Sequence, residues 1–455
     1  MVTRVDTLVL GLAVLAACGG AAADPEVGGD TTAGTTTTGA ASRETTGDDD
    51  PAGSSSTAAV DATSSGEAST GDVPDGPCMG IELEDDACEI LRAMRWTPEL
   101  PPAHGNAVAD DETAAELGFA LFFDARLSSN NQVRCATCHE PDFGFGDGKP
   151  VSMGVGTVAR NAPSALDVAH VRWQFWDGRA DSLWSQALAP IEHPDEMAST
   201  RLAVAHRIFD DYAGRYEAVF GPLPPLGDLG RFPATGAPGW VAYDGMDPAD
   251  RHAVDEVFVN VGKSLEAYMR RLVTGPAPFD RFLDGELDAI SPAAMRGAAV
   301  FFAAGCPSCH AGPQLADGAF HNLGMPDDDD ASAQGRALGI ERLLAAEFNA
   351  ASEWFDGEPP TDFPPTVGAA DLGAFRTPTL RNLAVTGPYG HTGAYANLSA
   401  IVQFHLDGGG EPIVGERDAL LQPHELELDA QDDLLAFLGS LRGGEPPLPW
   451  GEWPM

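Results

Sequence analysis

The sequence predicts a mainly α-helical protein built of two tandem modules with long irregular connections, and three observations carry that expectation. Val254, Val257, Phe258, Val261, Leu265, Tyr268, Met269 and Leu272 recur at i, i+3 and i+4 spacing, which puts them on one face of a helix that should stop at Gly275-Pro276. A Gly-containing apolar segment, Leu117-Gly118-Phe119-Ala120-Leu121-Phe122-Phe123, runs into a Cys-X-X-Cys-His motif, and a second, Gly297-Ala298-Ala299-Val300-Phe301-Phe302, runs into another. The stretch from Pro326 to Asp371 is acidic and Pro-rich and reads as an irregular insertion.

In chain order, residues 1–18 read as a signal peptide. Arg4 lies in a short polar start, and Leu8–Ala17 is an apolar run too short to span a membrane. It ends in Leu15-Ala16-Ala17-Cys18, which resembles a bacterial lipobox whose Cys is acylated and becomes the mature N-terminus. The protein is therefore expected to be exported and held on the periplasmic side through a lipid on Cys18. Gly19, in place of an inner-membrane retention Asp, points to the outer membrane where the cell has one. Residues 19–77 are rich in Thr, Ser, Gly, Ala and Asp and bury too little apolar surface to offset their ordering entropy, so they form a low-complexity, disordered tether. Residues 78–290 are the expected N-terminal module and 291–455 the C-terminal one. Ser291-Pro292 at the join supplies an N-cap followed by Pro at the first helical position. Asp429 opens a last amphipathic helix through Leu434, Leu435, Leu438 and Leu441.

The 455 residues suit two or three domains. Lys and Arg number 26 against 69 Asp and Glu, a formal net charge of −43. Such a surface repels nucleic acid and anionic lipid, which leaves membrane contact to the N-terminal lipid. It serves solubility, and it would attract a basic partner such as a small basic electron carrier.

The seven Cys divide cleanly: Cys18 for lipid, Cys135 and Cys138 in one motif, Cys306 and Cys309 in the other, and Cys78 and Cys88, which are expected to pair as a disulfide in an oxidising compartment. Cys-X-X-Cys-His attaches haem c: each thiol adds to a vinyl group and the adjoining His reaches the iron. Zinc or thiol redox chemistry is the rival, but neither needs the His directly after the second Cys. Two copies make accident negligible. The modules are thus expected to be cytochrome c-like haem domains carrying two covalent haems c, with His139 and His310 as iron ligands.

Catalysis needs an open iron face with an acid/base group over it. The stretch Arg160–Met197 supplies candidates: Arg160-Asn161-Ala162-Pro163, Gln174-Phe175-Trp176-Asp177-Gly178-Arg179-Ala180, Gln186-Ala187, Pro190 and Pro194-Asp195-Glu196-Met197. Leu127-Ser128 precedes the first haem motif; Phe375-Arg376-Thr377-Pro378-Thr379-Leu380-Arg381-Asn382 and Pro388-Tyr389-Gly390-His391-Thr392-Gly393 follow the second. From about Leu117 to Leu441 the chain resembles the bacterial di-haem cytochrome c peroxidase and MauG family. The resemblance implies that Glu196 is the distal acid/base that moves a proton between the oxygens of peroxide, that Gln186 is its partner and that Pro190 shapes the pocket. It implies that Trp176 relays electrons between the haems. Asn161 by its side chain, with Thr386 and Pro388 by their carbonyls, would ligate a calcium ion, a hard cation suited to oxygen donors. His391 matches a family His beside the second haem.

Two departures from the family pattern bear on function. Val155, in the loop Val151–Thr157, stands where family members that need reductive activation carry a distal His, so the first haem is expected to be open to peroxide; Met153 is the only nearby alternative ligand. Fourteen residues after His391, where the peroxidases place Met and MauG places Tyr, this chain has His405, on the stripe Leu398, Ile401, Val402, His405. His405 is the expected second ligand of the C-terminal haem, with Met325 as runner-up. A His/His haem has a lower potential than a His/Met one.

Three functions follow. The first is a peroxidase that reduces hydrogen peroxide to water with electrons passed from the C-terminal to the N-terminal haem, the donor being a c-type cytochrome or similar carrier. The second is MauG-like, peroxide-dependent oxidation of a side chain on a partner protein. The third is a non-catalytic electron-transfer lipoprotein.

Overall fold

A computed structural model describes residues 78–328 and 330–454. The expected signal peptide, the Cys18 anchor and the tether lie outside the described residues. No helix among the described residues is long and apolar enough to cross a membrane.

The architecture is mainly helical, with eight helices that matter for the site: α1 Asp85–Ala93, α2 Glu112–Phe122, α3 Leu183–Glu192, α4 Pro248–Met269, α5 Pro292–Ala303, α6 Arg336–Ala345, α7 Leu398–Leu406 and α8 Leu428–Gly439. Side-chain caps start most of them. Asp111 accepts from the Ala114 N–H, Ser182 from Ser185, Ser291 from Ala294 and Asn397 from Ala400. The expected Ser291-Pro292 start of α5 is therefore present. Strand structure among the described residues is one antiparallel pair, Phe320–His321 against Phe375–Arg376. From Ser128 to Asp181 the chain is mostly irregular, broken by a single α-helical turn at Cys135–Cys138 and by 3-10 turns at Pro141–Phe143 and Val168–His170.

Two helix crossings hold the apolar interior, and both turn on a glycine of the repeated segment. α2 packs on α4 at Gly118, where a Cβ would lie 1.9 Å from the Ser264 carbonyl oxygen. α5 packs on α8 at Gly297, where a Cβ would lie 1.9 Å from the Asp433 carbonyl oxygen. Each helix then leads to a Cys-X-X-Cys-His motif, so the sequence repeat is a repeat of packing as well. Gly118→Ala is expected to force the helices apart at a cost of about 1–3 kcal/mol, read as a fall in the urea unfolding midpoint at unchanged slope. An unchanged midpoint would contradict the close crossing.

The first apolar cluster gathers around Leu117, Phe122, Trp184, Phe258, Leu265 and Tyr268; the second around Leu91, Phe279, Phe282, Phe301, Phe437 and Leu441. They interleave along the chain rather than following a single cut near residue 290. Cys78 and Cys88, joined as the expected disulfide, and Met94 pack in the second cluster although they precede the first motif. Conversely, Trp450 and Trp453 reach back to the first cluster, where the Tyr268 hydroxyl donates to the Trp450 carbonyl at 2.9 Å.

Two local expectations are corrected. α4 ends at Met269 rather than near Gly275, and Leu272 is buried outside it, its carbonyl accepting from the Asp167 N–H at 2.8 Å. The acidic insertion is not wholly irregular, for it contains α6. Ala337, Ile340 and Leu343 bury one face there, and Gly339 lets the helix approach the Asp177 carbonyl, where a Cβ would lie 2.0 Å away.

Candidate active site

Both Cys-X-X-Cys-His motifs are tight turns that aim an imidazole inward. The His139 N–H donates to the Cys135 carbonyl at 3.0 Å, and the His310 N–H to the Cys306 carbonyl at 2.9 Å. His139 Nδ1 meets the Phe145 carbonyl at 3.1 Å, His310 Nδ1 the Leu315 carbonyl at 2.8 Å, and His405 Nδ1 the Ile401 carbonyl at 2.8 Å. A backbone acceptor at Nδ1 fixes the N–H there and leaves Nε2 as the lone-pair donor, the arrangement of a metal-ligating His. All three residues line one cavity of about 380 Å³. Burial pushes the His139 and His405 imidazoles below their ordinary value. Burial and the neighbouring His405 push His310 down to about 4, opposed by the Leu315 carbonyl. Neutral rings result, as ligation requires.

The remaining donor set fits haem c. The thiols of Cys135, Cys138, Cys306 and Cys309 are unpaired. Burial raises Cys135 and Cys306 to about 12 and Cys138 to about 11, so these are protonated thiols in an apolar wall. Arg376 lines the same cavity, forms no ion pair among the described residues, and is pushed down to about 10 by burial. A buried cation with no carboxylate partner suits a propionate of the cofactor.

The cavity also brings together Gln186, Pro190, Glu196, Trp176, Asn161, Thr386, Pro388 and His391, so residues spread over more than two hundred positions meet at one site. Cys135 lines a smaller adjoining cavity together with Cys138, His139, Gln186, Pro190 and Glu196. Gln186 and Pro190 are four apart on α3 and share one face. The Pro190 carbonyl accepts from the Met197 N–H at 3.1 Å, which folds the following loop back and turns Glu196 toward the cavity. Burial raises the Glu196 carboxyl above the usual range, while His193 and Arg179 pull it down. A carboxyl poised this way can both take and give a proton.

Trp176 is buried, and its indole N–H donates to the Asn161 carbonyl at 2.9 Å; its ring lies 6.5 Å from that of His391. The Asn161 N–H donates to the His391 carbonyl at 3.1 Å, and its carboxamide NH₂ donates to the Lys149 carbonyl at 2.8 Å, which leaves Oδ1 as the atom a cation would take.

The loop before Arg160 lines the cavity with Ser152 and Val158 but turns Met153 and Val155 outward. Met153 and Val155 are 51% and 43% exposed, and Met153 Sδ accepts from the Thr157 hydroxyl. The Val155 N–H is fixed on the Glu196 carbonyl at 2.8 Å. Met325 does line the cavity, near Gly390.

Two features escaped the sequence. Asp327, one of four consecutive Asp, accepts from Arg160 at 2.8 Å and from the Ser332 hydroxyl at 2.7 Å, and meets His391 Nε2 at 3.2 Å. Its side chain is 2% exposed. Burial alone would raise this carboxyl; the hydrogen bonds from His391, Arg160 and Ser332 hold it well below the usual range. His321, beside the second motif, sits between Asp418 at 2.6 Å and Asp317 at 2.9 Å. Only the packed structure distinguishes these carboxylates from their neighbours in sequence.

A family model described as di-haem cytochrome c peroxidase matches residues 112–288. The methylamine utilization protein MauG of Methylorubrum extorquens is 32% identical over 367 residues, covering 79% of this chain and 86% of that one. The cytochrome c551 peroxidase of Pseudomonas aeruginosa is 31% identical over 368 residues, covering 80% and 87%. Among solved structures, a MauG-like protein associated with microbial copper homeostasis superposes with a TM-score of 0.55 at 25% identity, covering 78% of this chain and 99% of that one.

Proposed function

The chain belongs to the di-haem cytochrome c peroxidase and MauG family and is a peroxidase-type oxidoreductase, and on that premise we propose that it reduces hydrogen peroxide to water at the His139 side of the cavity. The observation that carries this reading is that Glu196, Gln186 and Pro190 line the same walls as Cys138 and His139.

Haem c, when bound, supplies the one-electron chemistry and the iron at which peroxide is taken up. Cys135 and Cys138 would hold one haem with His139 Nε2 as an iron ligand; Cys306 and Cys309 would hold the other, with His310 and His405 as its ligands. Glu196 accepts a proton from one peroxide oxygen and returns it to the other, which leaves as water. Gln186 orients the oxygens by its carboxamide, and Pro190 keeps the Glu196 loop folded over them. Two electrons and two protons per peroxide balance the product, two waters. Trp176 is the relay for electrons entering on the His310 side. Asn161 Oδ1 and the carbonyls of Thr386 and Pro388 would hold a calcium ion, a hard cation suited to oxygen donors. The two glycine-centred crossings support reading the fold as tandem cytochrome c-like modules. The protein works outside the cytoplasm on the Cys18 lipid, and its acidic surface favours a basic c-type cytochrome or similar carrier as donor.

His405 favours a second reading. With Nδ1 held by Ile401, its Nε2 suits a His/His haem, whose low potential stores electrons poorly and favours holding oxidising equivalents. The electrons would then come from a side chain of a partner protein, as in MauG-like oxidation. The test is steady consumption of reduced c-type cytochrome by the purified holoprotein with hydrogen peroxide. Sustained turnover supports the peroxidase. Negligible turnover with oxidation of a co-purified partner supports the second reading, and no peroxide consumption at all contradicts both.

A further inference from the structure

Reducing one peroxide consumes two protons besides the one that Glu196 moves between the oxygens, and these must reach Glu196 from outside the cavity. The backbone of Gly154 and Gly156 closes one approach. A Cβ at Gly154 would lie 2.7 Å from the Glu196 Cα, and the Gly156 N–H is fixed on the Asp195 carbonyl at 2.9 Å. The ionisable groups that act on Glu196 are His193 and Asp195 on its own loop, Arg179 from the segment before α3, and Cys135 and Cys138 from the first motif; the glycine loop contributes none. The two cysteines are taken by haem, and an Arg does not release its proton. Asp195 turns its carboxylate to Gly156, where a Cβ would lie 2.5 Å from Oδ1.

His193 remains. It follows directly on the last residue of α3, and its ring is 46% exposed against 22% for Glu196. Its Nδ1 lies 3.7 Å from Glu196 Oε1. The Asp195 N–H points at the same Nδ1, at 3.3 Å. The loop is held in this shape because the N–H groups of both Glu196 and Ala198 donate to the His193 carbonyl, at 3.1 and 2.9 Å.

We infer that His193 is the relay that carries protons from solvent to Glu196. This rests on the proposed role of Glu196 as acid/base. The neutral ring carries its proton on Nε2 and accepts the Asp195 N–H at Nδ1; swung toward solvent and off that N–H, Nδ1 takes a proton from hydronium, releasing water and leaving imidazolium. The Nδ1–H bond then breaks, the Oε1–H bond of Glu196 forms, and the ring returns to neutral. No oxidant is involved. Histidine suits the task because an imidazole can take up a proton and release it again, and a rotation of the exposed ring closes the remaining gap, as catalytic hydrogen bonds often tighten only in the working complex.

The test uses the holoprotein, hydrogen peroxide and the dye ABTS as electron donor, with His193→Gln, His193→Ala and Glu196→Gln. His193→Gln should lower turnover by on the order of ten- to a hundredfold and alter the pH profile. Imidazole in the buffer should restore much of the rate of His193→Ala. The carboxyl C=O infrared band, assigned by its loss in Glu196→Gln, should persist in His193→Gln and titrate at higher pH, because the imidazolium that pulls the Glu196 carboxyl down is gone. Unchanged rate and pH profile in His193→Gln would overturn the relay, and so would a loss that imidazole does not rescue together with loss of the infrared band. If Glu196→Gln itself turns over normally, it is the proposed acid/base role that fails.

Discussion

Glu196→Gln is expected to lower peroxide turnover by about 10²–10⁴-fold, the usual contribution of a positioned acid/base, with both haems still attached. The substitution keeps the shape of the side chain and removes its ability to carry a proton. The loop should survive it, because its shape comes from backbone contacts: Met197 N–H to the Pro190 carbonyl, Val155 N–H to the Glu196 carbonyl and Ala198 N–H to the His193 carbonyl. Initial rates of peroxide loss, normalised to haem absorbance, give the comparison. A fall of less than about threefold would mean that another group handles the proton.

Arg381→Met is expected to destabilise the fold by about 3–5 kcal/mol, the largest effect on stability among these substitutions. Arg381 and Asp280 are each 1% exposed and form a two-pronged pair at 2.8 and 3.0 Å. The same guanidinium donates to the Met94 carbonyl at 2.9 Å and the Pro313 carbonyl at 2.5 Å. It therefore ties the segment after α1, the segment after the second haem motif and the region ahead of α5 to the Phe375–Asn382 stretch. Methionine fills comparable volume but leaves the Asp280 carboxylate buried without its cation. Asp280→Asn should also be destabilising, since both carboxylate oxygens accept N–H donors, the amide NH₂ would face two of them, and Arg381 would be left without its anion. Denaturant unfolding followed by far-UV circular dichroism measures both. Equal midpoints for wild type and Arg381→Met would show that the pair contributes nothing net.

What was legible of the candidate site came from local signals and from the family resemblance. Cys-X-X-Cys-His is contiguous, and the turn it encodes is short-range. Gln186, Pro190 and Glu196 lie within one helix and the loop after it. The glycines at 118 and 297 are visible as a repeat, and they turn out to be the points where α2 and α5 meet carbonyls of α4 and α8. What stayed hidden depends on contacts distant in sequence. Asp327 pairs with Arg160 and His391, and nothing in the run Asp327–Asp330 distinguishes it from its neighbours. α6 lies within acidic, Pro-rich flanks that mask its apolar face. The overrun of α4 to Leu272 has the opposite cause: Leu272 is buried at the helical spacing, but by the irregular chain beyond the cap. The packing of Cys78–Met94 against α5 and α8 spans stretches of chain, from Met94 to Pro292 and to Leu428, that carry no local trace of it.

Electron paramagnetic resonance of the oxidised holoprotein, wild type and His405→Ala, tests the central claim most directly. The account predicts a high-spin signal from a His139 side free for peroxide, beside a low-spin His/His signal that disappears in His405→Ala. Two low-spin signals, both unchanged by the substitution, would contradict both the open His139 side and the pairing of His310 with His405.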